Sequence, residues 1–317
     1  MVDDSQLARS KSIHKQTGKT FYYGTRVLPT RVREATYVLY AFFRVADEVV
    51  DDAAGVEPAV QREELDSIRE AVLGRTDTDD PVLAAFSELR ERYGIPDEEV
   101  ETFLDAMATD IEKSRYHSYE ELEAYMRGSA AAVGVMMTYV MEPDDIEAAL
   151  PRARRLGEAF QMTNFIRDVG EDIAERDRIY LPLDTVESFG ATAADIENRE
   201  PTEGVRRAIE SELRRTERLY REGVAGIEYL PEDCQFAVLV AAVLYADHHR
   251  LFRERDYDTV TATPELSRRR KLSLVVRTRW HWAWNKDPEA VFAKVSAIPY
   301  GDASLSGAEP GAPSPAR

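Results

Sequence analysis

Apolar residues recur at steps of three and four along most of this chain, a period that commits it to packing helices against one another. "PTRVREATYVLYAFFRVADEVVDD", "DEEVETFLDAMATDIEKS" and "SYEELEAYMRGSAAAVGVMMTYVM" carry the pattern in the first half. "DDIEAALPRARRLGEAFQMTNFIRDVGEDI", "GVRRAIESELRRTERLYREGVAGI" and "EDCQFAVLVAAVLYADHHRLFRE" carry it in the second. No short runs alternate as strands do, and no βαβ rhythm is present. Pro29, Pro81, Gly94, Pro96, Pro182, Pro201 and Pro231 punctuate the joins, whereas Pro151 sits in a periodic segment and marks a first turn or a kink. The pattern predicts one all-α domain over residues 1–298. The remainder, 299–317, holds "GDASLSGAEPGAPSPAR", offers little to bury, and is expected to be a disordered tail.

A chain of 317 residues with 44% apolar content can build a substantial core. Its 59 acidic residues outweigh 41 Lys and Arg, a formal charge of −18. That balance excludes nucleic acid as the main partner, because phosphate binding needs clustered cations. It also argues against simple electrostatic attachment to anionic lipid. Dispersed acid, as in "IPDEEVET" and "EPDDIEAA", suits a chain kept soluble in a salty cytoplasm where repulsion is screened. Cys234 is the sole cysteine, so neither a disulfide nor a cysteine metal site is available. "MVDDSQLARSK" has no signal-peptide character, and the apolar runs fall short of the ~18–20 residues of a membrane span. A soluble cytoplasmic protein is expected.

Two segments stand out. "YAFFRVADEVVDD" places Tyr40, Arg44, Asp47 and Asp51 at i, i+4, i+7 and i+11. "QMTNFIRDVGED" places Gln161, Asn164, Asp168 and Asp172 at i, i+3, i+7 and i+11. Residues three or four apart lie above one another on a helix, with Cβ atoms ~5–6 Å apart, so each set forms one stripe. Chance pairs such as Glu171/Glu175 and Glu254/Asp258 are expected in so acidic a chain, and a lone pair on a solvated face carries little weight. These two stripes are embedded in apolar sequence, where an unpaired acid is costly. If the helices face each other, four carboxylates line one end of a cavity and call for a cation. A hard divalent ion such as Mg²⁺ takes oxygen ligands and leaves positions for water and phosphate, and Arg44 and Arg167 suit the other face of a diphosphate.

At these residues the sequence resembles the squalene/phytoene synthase family, the head-to-head prenyl transferases. "YAFFRVADEVVD" is similar to its Y-A-x-x-R-x-x-D-x-x-x-D signature, and "QMTNFIRDVGED…RIYLP" to its second signature. "GKTFYYGTRVLP" resembles, more weakly, its phosphate-contacting N-terminal segment. The likeness covers about residues 10–280. It implies an isoprenoid-synthase helical bundle with a central cavity in which two prenyl diphosphates are joined at C1. It also implies that Asp47, Asp51, Asp168 and Asp172 bind Mg²⁺, with Mn²⁺ as the alternative. Arg44 and Tyr40 would join them in the catalytic set. Lys19, Thr20, Gln161, Asn164, Arg167, Tyr125 and Tyr245 would bind substrate.

Within the family the wording lies nearest the carotenoid branch. That implies two geranylgeranyl diphosphates joined through prephytoene diphosphate to phytoene, with no NADPH expected. Squalene or dehydrosqualene synthesis from two farnesyl diphosphates is the alternative, and an inactive helical scaffold a remote one. Head-to-tail elongases and terpene cyclases usually carry other acidic spacings. The lipid product implies peripheral contact with a membrane; oligomeric state is not legible.

Three departures stand against the family pattern. Arg127 and Ala131 replace a Tyr and a Gly in "YMRGSAAAVG", Thr17 stands where relatives have His, and Asp177 replaces a Gly before "RIYLP". The small residues of "GSAAAVGVMM" fit equally a cavity wall or tight helix packing. His248 and His249, ~100° apart on a helix with no third ligand, are expected at the surface. "RRRK" at 268–271 is expected to be mainly a solvated face, and Tyr245 is weighed as core or substrate contact.

Overall fold

The computed structural model describes residues 25–51 and 55–300. Of the described residues 74% are helical, and among them no strand forms beyond an isolated bridge between Arg115 and Ile179. Lys19, Thr20 and Thr17, and the tail from residue 301, lie outside the described residues.

The first four helices among the described residues are α1 (Thr30–Asp51), α2 (Pro58–Val72), α3 (Pro81–Tyr93) and α4 (Asp97–Thr109). Proline opens α2 and α3, where the missing N–H is no loss. The Asp80 carboxylate caps α3 by accepting from the Val82 and Leu83 amides, and Gly94 ends it at φ +63. Next, α5 (Tyr119–Met126) runs through a π turn (Arg127–Ala131) into α6 (Ala132–Met141). Then follow α7 (Ile146–Arg167), α8 (Val169–Arg176), α9 (Leu183–Ser188), α10 (Ala193–Glu197) and α11 (Glu203–Val224), the last extended by a 3₁₀ turn (Ala225–Tyr229). The chain closes with α12 (Glu232–Ala246), α13 (His248–Glu254), α14 (Arg268–Trp284) and α15 (Pro288–Val295).

Helix α7 is the central strut, packed against α6, the π turn, α11 and α12. Glycine makes the closest of these approaches. A Cβ at Gly134 would sit 2.5 Å from the Ala153 carbonyl oxygen, and one at Gly157 2.5 Å from that of Ala130. The small-residue run therefore serves tight packing, and Ser129, Ala130, Val133 and Gly134 line the central cavity as well. Pro151 lies beyond the first turn, inside α7. A smaller core, with Ile166, Ile179, Ile209 and Phe252, packs beneath α9 to α11.

Two of the three periodic segments of the second half each break once, at an aspartate. Asp168 parts α7 from α8, and Asp247 parts α12 from α13. Asp247 is fully buried and held by Arg270 at 2.6 and 2.9 Å and by Arg250 at 3.2 Å.

The expectation of surface histidines is overturned, since His248 and His249 are both buried. Helix α12 is apolar almost all round and is enclosed by neighbours, so faces ~100° apart are covered alike as the chain turns into α13. His249 meets the Thr163 hydroxyl at 3.1 Å, stands edge-on to Tyr220 and faces the Glu217 carboxylate, which also accepts from Arg253. His248 places Nδ1 3.0 Å from the Tyr245 carbonyl oxygen. "RRRK" divides: Arg268 and Arg269 are exposed, Arg270 holds Asp247, and Lys271 reaches the cavity.

Candidate active site

Helices α1, α6, α7 and α12 enclose a cavity of about 920 Å³. One end is polar: Tyr40, Asp47, Gln161, Asn164, Arg167, Asp168 and Tyr245 all stand on its wall, each of them singled out by sequence. The rest is apolar, with Phe43, Val133, Met137, Leu156, Phe160 and Val238. Phe160 and Tyr245 stack with ring centroids 4.6 Å apart, so Tyr245 belongs to the aromatic packing and to the wall at once.

Arg44 does not reach the wall; it donates to Asp47 at 2.6 Å and to Glu48 at 3.1 Å. Arg167 grips Asp168 with two bonds, at 2.7 and 2.5 Å. Asp51 and Asp172 lie just behind, joined through Arg176, which is 3.5 Å from the first and 3.3 Å from the second. Arg178 adds a contact to Asp51 at 3.3 Å and donates to the Asp110 carbonyl oxygen at 2.9 Å. Tyr125 sits deeper still, donating from its hydroxyl to Asp110 at 2.6 Å and lining a separate cavity of about 300 Å³. The aromatic group around it includes Phe165 and Tyr180, stacked at 4.1 Å.

Burial first, and the neighbouring acids after it, raise the proton affinities of these carboxyls. Asp47 is pushed up to about 6, first by burial and then by Asp51, against the pull of Arg44. Asp172 is pushed up to about 7, by burial and then by Asp168. Asp110 rises to about 6 through burial, against the pull of Arg178. Its Oδ1 is buried without a protein partner. Among the described residues no three acidic, His or Cys side chains converge on one point as ligands of a single ion. The donors are separate hard carboxylates whose charge is unevenly offset. They fit a divalent ion that keeps most of its positions for water and diphosphate.

Sequence reasoning missed several groups. Glu171, His248 and Lys271 also line the cavity, and Asp110, Arg176 and Arg178 form the network behind it. Arg176 lies four residues after Asp172, and Arg178 opens "RIYLP", so both were open to inspection. Asp110, in "MATDIEKS", gives no signal by sequence. Two of the three departures lie among the described residues. Arg127 turns to Glu99 with two bonds at 2.8 and 3.0 Å, and Ala131 is fully buried. Asp177 adopts φ +52, the left-handed conformation that favours glycine, and its side chain accepts from Arg115 at 2.7 Å.

An all-helical protein whose cavity is acidic at one end and apolar along the rest is built as a prenyl transferase, for a diphosphate head on a long hydrocarbon. The chain belongs to the squalene/phytoene synthase family, whose model matches residues 14–275. It is 34% identical over 280 residues to phytoene synthase of Rhodobacter capsulatus, covering 88% of this chain and 82% of that one. It is 31% identical to 15-cis-phytoene synthase of Synechocystis, covering 78% and 79%. Among solved structures, a dehydrosqualene synthase in complex with ligand superposes with a TM-score of 0.79 at 26% identity, covering 89% of this chain and 98% of that one. The squalene synthase of Alicyclobacillus acidocaldarius gives 0.72 at 26% identity, over 80% and 95%. The family employs a divalent metal ion, and its substrates are prenyl diphosphates.

Proposed function

We propose that the protein joins two geranylgeranyl diphosphates head to head, through prephytoene diphosphate, to give phytoene, the first committed step of carotenoid synthesis. The observation that carries this reading is a cavity with carboxylates and Arg167 at one end and an apolar wall beyond. Relatives named phytoene synthase, alike along most of this chain, support it over the squalene reading.

Asp47 and Asp168, on the wall, and Asp51 and Asp172, behind it, are the residues that would hold Mg²⁺. When bound, the ion neutralises charge on the leaving diphosphate and so lowers the barrier to forming an allylic cation. Arg167 and Lys271 are placed to draw the diphosphate to the polar end. Gln161 and Asn164 bring amides to the same region, and Tyr40 a hydroxyl. The walls of Phe43, Val133, Met137 and Phe160 keep water from the cation, and the stacked faces of Phe160 and Tyr245 offer it π density. Without a reductant the cation is discharged by losing a proton, so no NADPH is needed.

The test supplies geranylgeranyl and farnesyl diphosphate separately with Mg²⁺, each with and without NADPH, and identifies products by mass. A C40 hydrocarbon from the longer substrate without NADPH is expected. A C30 product formed only from the shorter one would move the protein to the squalene side, and no product from either would revive a non-catalytic scaffold.

A further inference from the structure

We propose that the outer face of α14 is a docking surface for an anionic lipid bilayer, on which the helix lies flat with the cavity rim beside it. Helix α14 buries Leu274, Thr278 and Trp282 against the body of the protein. Its opposite side carries Leu272, Val276, Trp280 and Trp284, exposed by 66%, 60%, 66% and 80%. Among the described residues these are the four most exposed large apolar side chains, with the next, Val60, at 51%. They follow steps of four, so they form one stripe along a helix about 25 Å long. Trp280 and Trp284 meet edge to face at 6.3 Å, a paired aromatic anchor of the kind that favours the headgroup boundary.

The charge of this segment reverses that of the chain. From Leu266 to Lys286 there is no Asp or Glu, although the protein carries 59 of them, and there are seven Lys and Arg. Arg268, Arg269, Arg277 and Arg279 are exposed beside the apolar stripe. An apolar stripe with Trp at one end, flanked by arginines, is the pattern of a helix lying in a lipid interface. The overall charge of −18 does not forbid this. At physiological salt fields fade over about 8 Å, so a bilayer facing α14 experiences the local arginines first. The stretch leading into this helix also lines the cavity: Thr263, Pro264 and Leu266 before it, and Lys271 in its first turn. A bilayer on α14 would lie next to that rim, and a substrate or product with a long hydrocarbon would have a short path between cavity and lipid. Only this last step rests on the proposed function.

The experiment is flotation of the full-length protein with vesicles of phosphatidylcholine alone or mixed with phosphatidylglycerol, alongside size-exclusion chromatography. The wild type is expected to float with the anionic vesicles and to shift its tryptophan emission to the blue. Trp280→Glu with Trp284→Glu, at exposed positions, is expected to lower the bound fraction by about tenfold or more. Arg269→Glu with Arg277→Glu should remove the preference for anionic lipid, and 1 M salt should do the same to the wild type, where screening acts within about 3 Å. The proposal is overturned if the wild type fails to float, or if the tryptophan variant floats equally well. It is also overturned if that variant breaks up a dimer, since the face would then be a protein interface. Loss of turnover by the variant on vesicle-borne but not detergent-dispersed substrate would support the delivery step. Vesicle binding without turnover in any format would refute the proposed reaction and leave the docking surface standing.

Discussion

Asp51 at the end of α1 and Asp172 on α8 share one guanidinium, that of Arg176, at 3.5 and 3.3 Å. Two motifs far apart in sequence are thus pinned together by a residue in neither acidic pair. Arg178 takes the other oxygen of Asp51 and continues the link to Asp110. The arginines offset acids that would otherwise repel, and a bound cation would relieve them of that role.

Arg176→Gln should therefore destabilise the metal-free protein more than the Mg²⁺-loaded one. Arg176 is one-third exposed, so the loss without metal should be modest, about 1 kcal/mol. The rise in melting temperature on adding Mg²⁺ should be larger in the variant than in the wild type. An equal rise would mean that Arg176 and the metal do not compensate the same charges.

Asp47→Ala and Asp172→Ala test the two motifs separately. Each should lower turnover by about a thousandfold or more, the scale of a lost metal contribution of several kcal/mol. Helical content by circular dichroism should stay as in the wild type. Near-normal turnover in either variant would remove that aspartate from the site.

The raised proton affinities of the two acids set a direction for pH. An unfolded Asp titrates near 3.9. Asp47 and Asp172 in the fold titrate at about 6 and about 7, so the folded state binds the proton more tightly. Their contribution to stability is full below about pH 4 and is lost as pH rises through 6 to 7; for the buried Asp172 the loss is on the order of a few kcal/mol in the absence of metal, and for Asp47, whose side chain is 43% exposed, solvent screening makes it smaller. Asp172→Asn should flatten this decline in denaturant titrations across pH 4–8, and Mg²⁺ should stabilise the wild type far more at pH 7.5 than at pH 5. A wild type and variant with parallel profiles would show that Asp172 does not titrate in this window.

The helical class and the two stripes were legible because each rests on local spacing. The stripe residues on α1 and α7 needed only the helical period and the cost of burying an acid. What failed to show were relations set by tertiary packing. His248 and His249 read as surface because they point ~100° apart and no third metal ligand accompanies them, yet α12 and α13 are enclosed on several sides. Asp110 reads as one more solvated acid, and only the approach of Tyr125 and Arg178 gives it a place. Helix α14 escaped notice because apolar residues stand on both its faces, so the one-sided pattern that marks a packed helix is missing.

Gly157 probes the packing that shapes the cavity. A Cβ there would lie 2.5 Å from the Ala130 carbonyl oxygen and 3.2 Å from its carbon, both backbone atoms that cannot rotate aside. Alanine is intrinsically the better helix former by about 1 kcal/mol, so a site with room would gain stability. Here α7 and the π turn must instead separate, at a cost of about 1–3 kcal/mol that outweighs the propensity gain. Both Gly157 and Ala130 line the cavity, so the separation should also loosen the grip on the prenyl chain. Gly157→Ala is thus expected to lower the denaturation midpoint and raise KM with a smaller effect on kcat. A variant as stable as the wild type, or more so, would show that the two backbones are not in forced contact.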